Sequence, residues 1–511
     1  MEHLEVPVPA GVHAGLPSRP AWLPSWTLLT GAYASLFALY QGHVNQKLLL
    51  DGDTFSHVAT GQWILRHLAV PLQDPFSHSM PGAPWTAQEW LSQVVLAAAH
   101  DAAGWDGVIA VTALCFGTSI ALLTRALLRN VEPLRALLFS FVALLMVAGH
   151  LLARPHIVAM PLLVAWMVGI FHARDLRRAP SPWLLPVMWV WANAHGGFTL
   201  GIAVAAFLAV EAVLEAPGAR GRRQVALSWG AFLLAAVGCA SLTPNGPAGF
   251  LFTWQVLAED AYALDRVAEW ASPNFHQYQA LELWLLGGLA LVLHQGLRLP
   301  ALRLVLLLGF VHLALKHLRS IELLGLISPL IVAGPFGAQW RQASPTPGRP
   351  ARADALLARL AQPAGIWAAA VAAVVVAGAS AALARARPVQ LPLSAAPVGA
   401  LKAVKEAGIA GPVFNSYAWG GFLIYSGIPD FIDGRSDLFR DQFIRQYADA
   451  ADLATSDALP SLLEKYAISW TIFPVGQPAV AALDRMPGWR RVYADSTAVV
   501  HARDERQGNQ P

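Results

Sequence analysis

The chain runs to 511 residues, 56% hydrophobic and only 13% charged, whereas soluble proteins average about 25% charged residues. A soluble enzyme, a disordered scaffold and a coiled coil are therefore excluded, and the composition is that of a multi-pass membrane protein. Lys and Arg number 35 against 32 Asp and Glu, a net charge of +3, too balanced for a nucleic-acid-binding face.

From the N-terminus, Met1–Pro24 lacks a basic n-region followed by a short apolar stretch, so residues 1–25 read as a cytoplasmic tail. A bilayer core takes about 20 apolar residues per helix, and fewer where the helix is packed among others. Runs of this kind are Trp26–Tyr40, Val108–Thr124, Ala136–Ala153, Ile157–Phe171, Trp183–Ala192, Phe198–Leu214, Val225–Leu242, Leu281–His294, Ala301–Leu315, Ile321–Gly334 and Gly365–Ala384. They predict an all-α polytopic membrane domain of about 11 transmembrane helices over residues 26–386. The two cysteines, Cys115 and Cys239, lie within these runs and read as small packing residues, without a disulfide or a Cys-based metal site. Arginines cluster on alternate connections (Arg125, Arg129 and Arg135; Arg174, Arg177 and Arg178; Arg220, Arg222 and Arg223), while the opposite loops are sparser in basic residues. The positive-inside rule then puts the N-terminus in the cytoplasm and the segment after the last run outside.

The first outer loop, about residues 42–106, is long and polar. It opens with Asp51-Gly52-Asp53 and His57, and later carries Asp74 and Glu89-Trp90. Stretches around Val58–Leu68 and Glu89–Ala103 have helical spacing and predict helices along the membrane surface. Two carboxylates as close as Asp51 and Asp53 can bind a divalent cation or take a proton from a hydroxyl, and equally can cap a helix beginning near Phe55. On a helix, Asp53 and His57 share a face. Further along lie Arg154-Pro155-His156, Asn193-Ala194-His195 before Gly196-Gly197, Glu269-Trp270 with Arg266, and Lys316-His317 with Arg319. As cations beside a lipid-accessible cleft, Arg154, Lys316 and Arg319 suit a lipid-linked phosphate, although basic residues at span ends also snorkel to headgroups. Glu269 and Trp270 pair an acid with an aromatic ring, which suits a sugar or an interfacial belt. Pro345–Pro350, on the inner side, reads as a connector.

After Arg387 the pattern shortens, and residues 387–511 read as a small extracytoplasmic α/β domain. Strands are expected at Pro412–Asn415, Phe431–Asp433, Trp470–Pro474 and Arg491–Val500, with helices at Phe439–Leu453 and Pro460–Tyr466. Asp433, Arg435 and Asp437 read as a salt-bridge network internal to that domain.

Asp51-Gly-Asp-Thr-Phe-Ser-His57, Pro71-Leu-Gln-Asp74-Pro-Phe-Ser77, Trp85 with Glu89-Trp90, Arg154-Pro-His156, Asn193-Ala-His195-Gly-Gly and Asp433-Gly-Arg435, set in this span pattern, resemble the C-type (GT-C) membrane glycosyltransferases. That family includes protein O-mannosyltransferases and aminoarabinose transferases. The resemblance implies sugar transfer, with inversion, from a polyprenyl-phosphate donor to a glycan, lipid or protein acceptor on the outer face of the bacterial cytoplasmic membrane. It implies Asp51 as catalytic base or metal ligand and Asp53 as the second acid, with His57 beside them, and Mg or Mn as the divalent cation if one is used. It further implies Arg154, Lys316 and Arg319 at the donor phosphate, and Glu89, Trp90, His156, Asn193, His195, Glu269 and Trp270 around sugar and acceptor. The Trp-Trp-Asp-Tyr-Gly motif of oligosaccharyltransferases does not occur, which argues against transfer to asparagine. The rival expectation is a non-enzymatic protein that binds or moves a lipid-linked glycan.

Overall fold

Thirteen helices account for the membrane part and its first outer loop among the described residues of the computed structural model, which are 22–251, 253, 262, 268–343 and 352–504. In chain order they are α1 Trp26–His43, α2 Asp53–His67, α3 Trp90–Leu127, α4 Pro133–Ala148, α5 Pro155–Asp175, α6 Leu184–Ala194, α7 Phe198–Glu215, α8 Gly218–Ala240, α9 Ala280–Gln295, α10 Ala301–Lys316, α11 Ser320–Ala343, α12 Arg352–Ala361 and α13 Ile366–Ala386. Each apolar run named above falls largely on one of them, although Ala136–Ala153 outruns α4 by five residues. Six are long and apolar enough to cross a membrane: α3, α5, α7, α8, the Ser320–Trp340 part of α11, and α13; α4, α6 and α9 are shorter and apolar. The N-terminal tail up to residue 21, Arg266 and the Pro345–Pro350 connector lie outside the described residues. Cys115 and Cys239 are free.

The two surface helices of the outer loop arise differently. α2 is a separate helix, with the Asp51 carboxylate accepting the Asp53 amide at 2.9 Å at its start. The second surface helix is continuous with a span. α3 is 38 residues long and breaks at Ala103-Gly104, where Gly104 takes φ +60°, a conformation open to glycine at little cost. Residues before the break lie in the outer layer and residues after it pack on α1 and α5.

Arg174, expected on a cytoplasmic connection, and Arg303 are both buried. Arg174 (α5) and Arg303 (α10) each meet Glu211 (α7) at 3.0 Å, and Arg303 reaches Asp175 at 2.8 Å. Charges at membrane depth are costly unless paired, and this cluster ties three helices together.

Beyond α13 comes the outer domain. It contains α14 Val398–Glu406, β1 Val413–Asn415, α15 Gly420–Tyr425, α16 Ser436–Ala451, α17 Ala458–Lys465, β2 Trp470–Pro474, α18 Pro478–Leu483, β3 Trp489–Ala494 and β4 Ala498–Arg503. The sheet order is β1-β2-β4-β3, with β1 parallel to β2 and the other pairs antiparallel. Two expectations need correction. Phe431–Asp433 is not a strand: the Asn415 side chain accepts the Phe431 amide and donates to the Ile432 carbonyl, both at 2.8 Å, and so replaces a ladder partner. Arg491–Val500 is not one strand but the hairpin β3–β4, turned by Asp495, whose carboxylate accepts the Thr497 and Ala498 amides at 2.7 Å.

The first outer loop supplies part of the core of this domain. Trp85 and Ala87 pack with Phe414, Phe431, Phe439 and Phe473, and Phe55 of α2 packs with Trp419, Phe422 and Trp470. Burying large aromatic rings on both sides of one seam fixes the outer domain over the loop.

Candidate active site

The Asp51-Gly52-Asp53 turn is gripped by two glycine-bearing segments of the outer domain. A side chain on Gly52 would overlap the Ala418 carbonyl, one on Gly421 the Gly52 carbonyl, and one on Gly434 the Asp53 carboxylate. Backbone can approach this closely only where Cβ is absent. Gly434→Ala is therefore expected to displace Asp53 and lower activity by about 10²-fold, the cost of misplacing a reacting group by an ångström. Steady-state kinetics of the folded variant check this.

Arg435, next to Gly434, locks the seam from beneath. Its guanidinium meets Asp433 and Asp74 at 2.6 Å each and lies over the Trp85 ring at 4.7 Å. The expected network is thus not internal to the outer domain, because Asp74 of the first loop is one of its members. Asp437 is not a member either: Ser436 starts α16, and Asp437 on its first turn lines the cavity below, with burial pushing its carboxyl up to about 6.

That cavity, of about 460 Å³, lies between the membrane helices and the outer layer. Asp53 and His57, one turn apart on α2, line it. So do Glu89, Arg154, His156, His195, Trp270, His317, Arg319 and Glu322. Arg154 is the N-cap of α5, set by Pro155 at the first helical position. Its guanidinium spans three carboxylates: Asp51 at 2.8 Å, Asp53 at 3.0 Å, and Glu269. One cation cannot satisfy three anions equally. Glu269, despite its burial, is held well below the usual carboxylate range by Arg154. Asp53 is pushed well above that range by burial, reinforced by Asp51.

On the opposite wall, Gln88 and Ser92 donate to the Ala192 and Ala194 carbonyls at 3.0 and 2.8 Å, docking the start of α3 on the end of α6. This brings Glu89 to 3.3 Å from His195 and 3.8 Å from His57. The Gly196-Gly197 turn lets His195 Nδ1 accept the Gly197 amide at 3.0 Å, which turns Nε2 toward Glu89. Burial, reinforced by nearby arginines, pushes both imidazoles down to about 3, and burial pushes Glu89 up to about 7. Two neutral rings therefore flank a carboxyl that titrates near neutrality.

The segment around Glu269 and the α10–α11 turn are paired through backbone: Arg319 donates to the Glu269 carbonyl at 3.0 Å and Leu318 to the Ala271 carbonyl at 2.9 Å. His317 Nδ1 lies 2.7 Å from the Trp270 carbonyl. The Arg319 guanidinium sits over the Trp270 ring at 4.8 Å, presenting a cation and an aromatic face side by side. Lys316, the last residue of α10, is exposed and does not line the cavity. Trp90 and Asn193 are engaged with each other at 2.9 Å, and Asn193 also donates to the Trp189 and Leu242 carbonyls, so both hold helices together behind the cavity wall.

His150 and Glu322 were missed in the sequence, although each sits in or beside a run read as a span. An ionisable residue inside an apolar run is the signal that points to them. His150 lies 3.2 Å from Glu269 and 3.7 Å from Glu322, and His156 lies 3.7 Å from Glu322.

No protein-family model and no curated protein matches the sequence. Solved structures do. The archaeal oligosaccharyltransferase AglB from Archaeoglobus fulgidus, in complex with an inhibitory peptide and a dolichol-phosphate, matches at TM-score 0.53 and 10% identity, over 88% of this chain and 69% of that one. The apo form of the Archaeoglobus fulgidus enzyme gives 0.50 and 10%, over 89% and 70%. ArnT from Cupriavidus metallidurans, bound to undecaprenyl phosphate, gives 0.49 and 14%, over 95% and 99%. At such identities the likeness is one of fold: this multi-pass membrane protein shares its overall architecture with the Archaeoglobus fulgidus oligosaccharyltransferase.

Proposed function

We propose that this protein transfers a glycosyl group from a polyprenyl-phosphate donor to an acceptor hydroxyl at the outer face of the bacterial cytoplasmic membrane, with the N-terminus inside and the outer domain outside. The observation that carries this reading is a single cavity with a carboxylate of raised pKa, Asp53, on one wall and a cation, Arg319, beside an aromatic face on another. In support, the chain shares its fold with a structure that holds a dolichol-phosphate.

Asp53, facing the cavity, takes the proton of the acceptor hydroxyl as its oxygen attacks the anomeric carbon. Polyprenyl phosphate leaves with the bonding electrons, and Arg319 holds its charge. One displacement inverts the anomeric centre. Asp51, lying behind Asp53, holds Arg154 and the start of α2. Arg154 supplies between the two aspartates the fixed positive charge that Mg or Mn would otherwise bring, so the pair is read as working without a metal ion. Trp270 offers a face for the sugar ring, and Glu89 with its two neutral histidines offers hydrogen bonds to hydroxyls.

Arg319→Ala removes a charge-assisted contact of the kind worth about 1.5–3 kcal/mol. The expected result is a donor KM raised by about 10–100-fold with a smaller change in kcat, read by titrating donor lipid at saturating acceptor. An unchanged donor KM removes Arg319 from the phosphate site.

A further inference from the structure

We infer that His150, His156 and Glu322 form a binding site for a divalent transition metal ion of the zinc class. His150 sits in the α4–α5 link, His156 on the first turn of α5 and Glu322 on the first turn of α11. Each offers one ligand atom, and these atoms lie within 4.8 Å of one another. Glu322 Oε2 is 3.7 Å from both His150 Nδ1 and His156 Nε2. That is too long for hydrogen bonds, yet close to the roughly 3.4 Å that separates donors around a tetrahedral zinc with bonds near 2.1 Å. The two histidine ligand atoms lie within 4.8 Å of each other, so closing the shell takes a few tenths of an ångström at Glu322 and up to about 1.4 Å between the histidines, a shift that rotation of the His150 and His156 side chains can supply.

Two further observations favour an ion over a simple ion-pair cluster. His150 Nδ1, His156 Nε2 and Glu322 Oε2 are all buried without a hydrogen-bond partner, and buried polar atoms rarely stay unsatisfied unless something else binds them. His150 Nε2, also without a hydrogen-bond partner, faces the Glu269 carboxylate at 3.2 Å. A carboxylate behind a ligating histidine fixes the tautomer and aims the other nitrogen at the metal. Two imidazoles with one carboxylate suit zinc and its neighbours, whereas Mg2+ and Ca2+ prefer all-oxygen shells. His156 and Glu322 line the cavity, so a three-ligand site leaves its remaining position open to water or to an oxygen of a bound ligand. The site is distinct from the Asp51–Arg154–Asp53 cluster, to which Glu269 links it.

The site is tested without substrate, so the result stands apart from the glycosyl-transfer reading. Full-length protein in detergent is stripped with a chelator, checked by size-exclusion chromatography, and titrated with Zn2+ alone by calorimetry, with metal content read by elemental analysis. The expected result is one ion per chain. Glu322→Gln and His156→Gln should each weaken binding by roughly 100-fold or more, and Glu269→Gln by roughly 10–100-fold, as loss of an outer-shell partner does. Asp53→Asn should leave binding unchanged. Co2+ loaded in place of Zn2+ should give a visible absorption band that Glu322→Gln abolishes. The inference is overturned if stripped, folded wild-type protein takes up no Zn2+, or if uptake persists unchanged in Glu322→Gln and His156→Gln.

Discussion

Asp53→Asn is expected to lower turnover by roughly 10²–10⁴-fold, the usual contribution of a positioned general base, while the protein still folds and still binds donor lipid. The amide keeps the size of the side chain beside Gly434 and can still face Arg154, so the packing of the seam is preserved. What it loses is the ability to accept a proton. Because burial and Asp51 hold the Asp53 carboxyl well above the ordinary carboxylate range, the active, deprotonated form gains population as pH rises. The wild-type pH–rate profile should therefore climb on an acid limb displaced upward from the usual carboxylate range, then level off. Residual activity of the variant should lack that limb. Asp51→Asn, by contrast, should act through Arg154 and the start of α2, and is expected to preserve the shape of the profile.

Arg435→Gln should cost about 3–5 kcal/mol, the range for removing one member of a buried ion-pair cluster. Arg435 is the cation between Asp433 and Asp74, both fully buried side chains. Without it, two carboxylates face each other with Asp430 close by, itself already pushed up by burial and by Asp433. The cluster joins the first outer loop to the outer domain, so the damage should appear as loosening of that seam. Limited proteolysis should cut the outer domain faster while leaving the membrane helices intact, and activity should fall along with docking, since Gly434 and Asp53 meet at the same seam. A seam as resistant to proteolysis as the wild type would show that the aromatic packing of Trp85 and Phe55 suffices alone.

Reading apolar periodicity located the helices of the membrane domain because each must present a long hydrophobic surface whatever its neighbours are. The same logic could not show that Glu89–Ala103 and Val108–Thr124 follow one another without a connecting loop, since the break lies in the backbone of Ala103 and Gly104 alone. Candidate residues were legible where polar groups crowd one side of the spans, as with Asp51, Asp53, Arg154 and Glu269. Their partners were not. That a single guanidinium joins three carboxylates from two separate segments depends on packing, and no local pattern encodes it. Asn193 and Trp90 look alike as sugar-binding candidates in sequence, yet they satisfy each other, which only their distance reveals. Gly421 and Gly434 carry no local signal either; each is explained by a contact with a residue more than 350 positions away, Gly52 and Asp53 respectively. His150 and Glu322 are not legible in the runs that carry them, because the average hydropathy of an apolar run hides a single ionisable residue.

The central claim is that the cavity beneath the outer domain consumes a polyprenyl-phosphate sugar. Purified protein reconstituted in proteoliposomes, given a defined set of such donors and an extract of envelope glycans and lipids, should release free polyprenyl phosphate together with an equal amount of glycosylated acceptor, both measured by mass spectrometry. The account predicts this release from wild-type protein and its near-complete loss in Asp53→Asn. Donor lipid that stays intact with wild-type protein under conditions where it is bound would contradict the account, and would favour a protein that binds or moves the lipid-linked glycan without reacting with it.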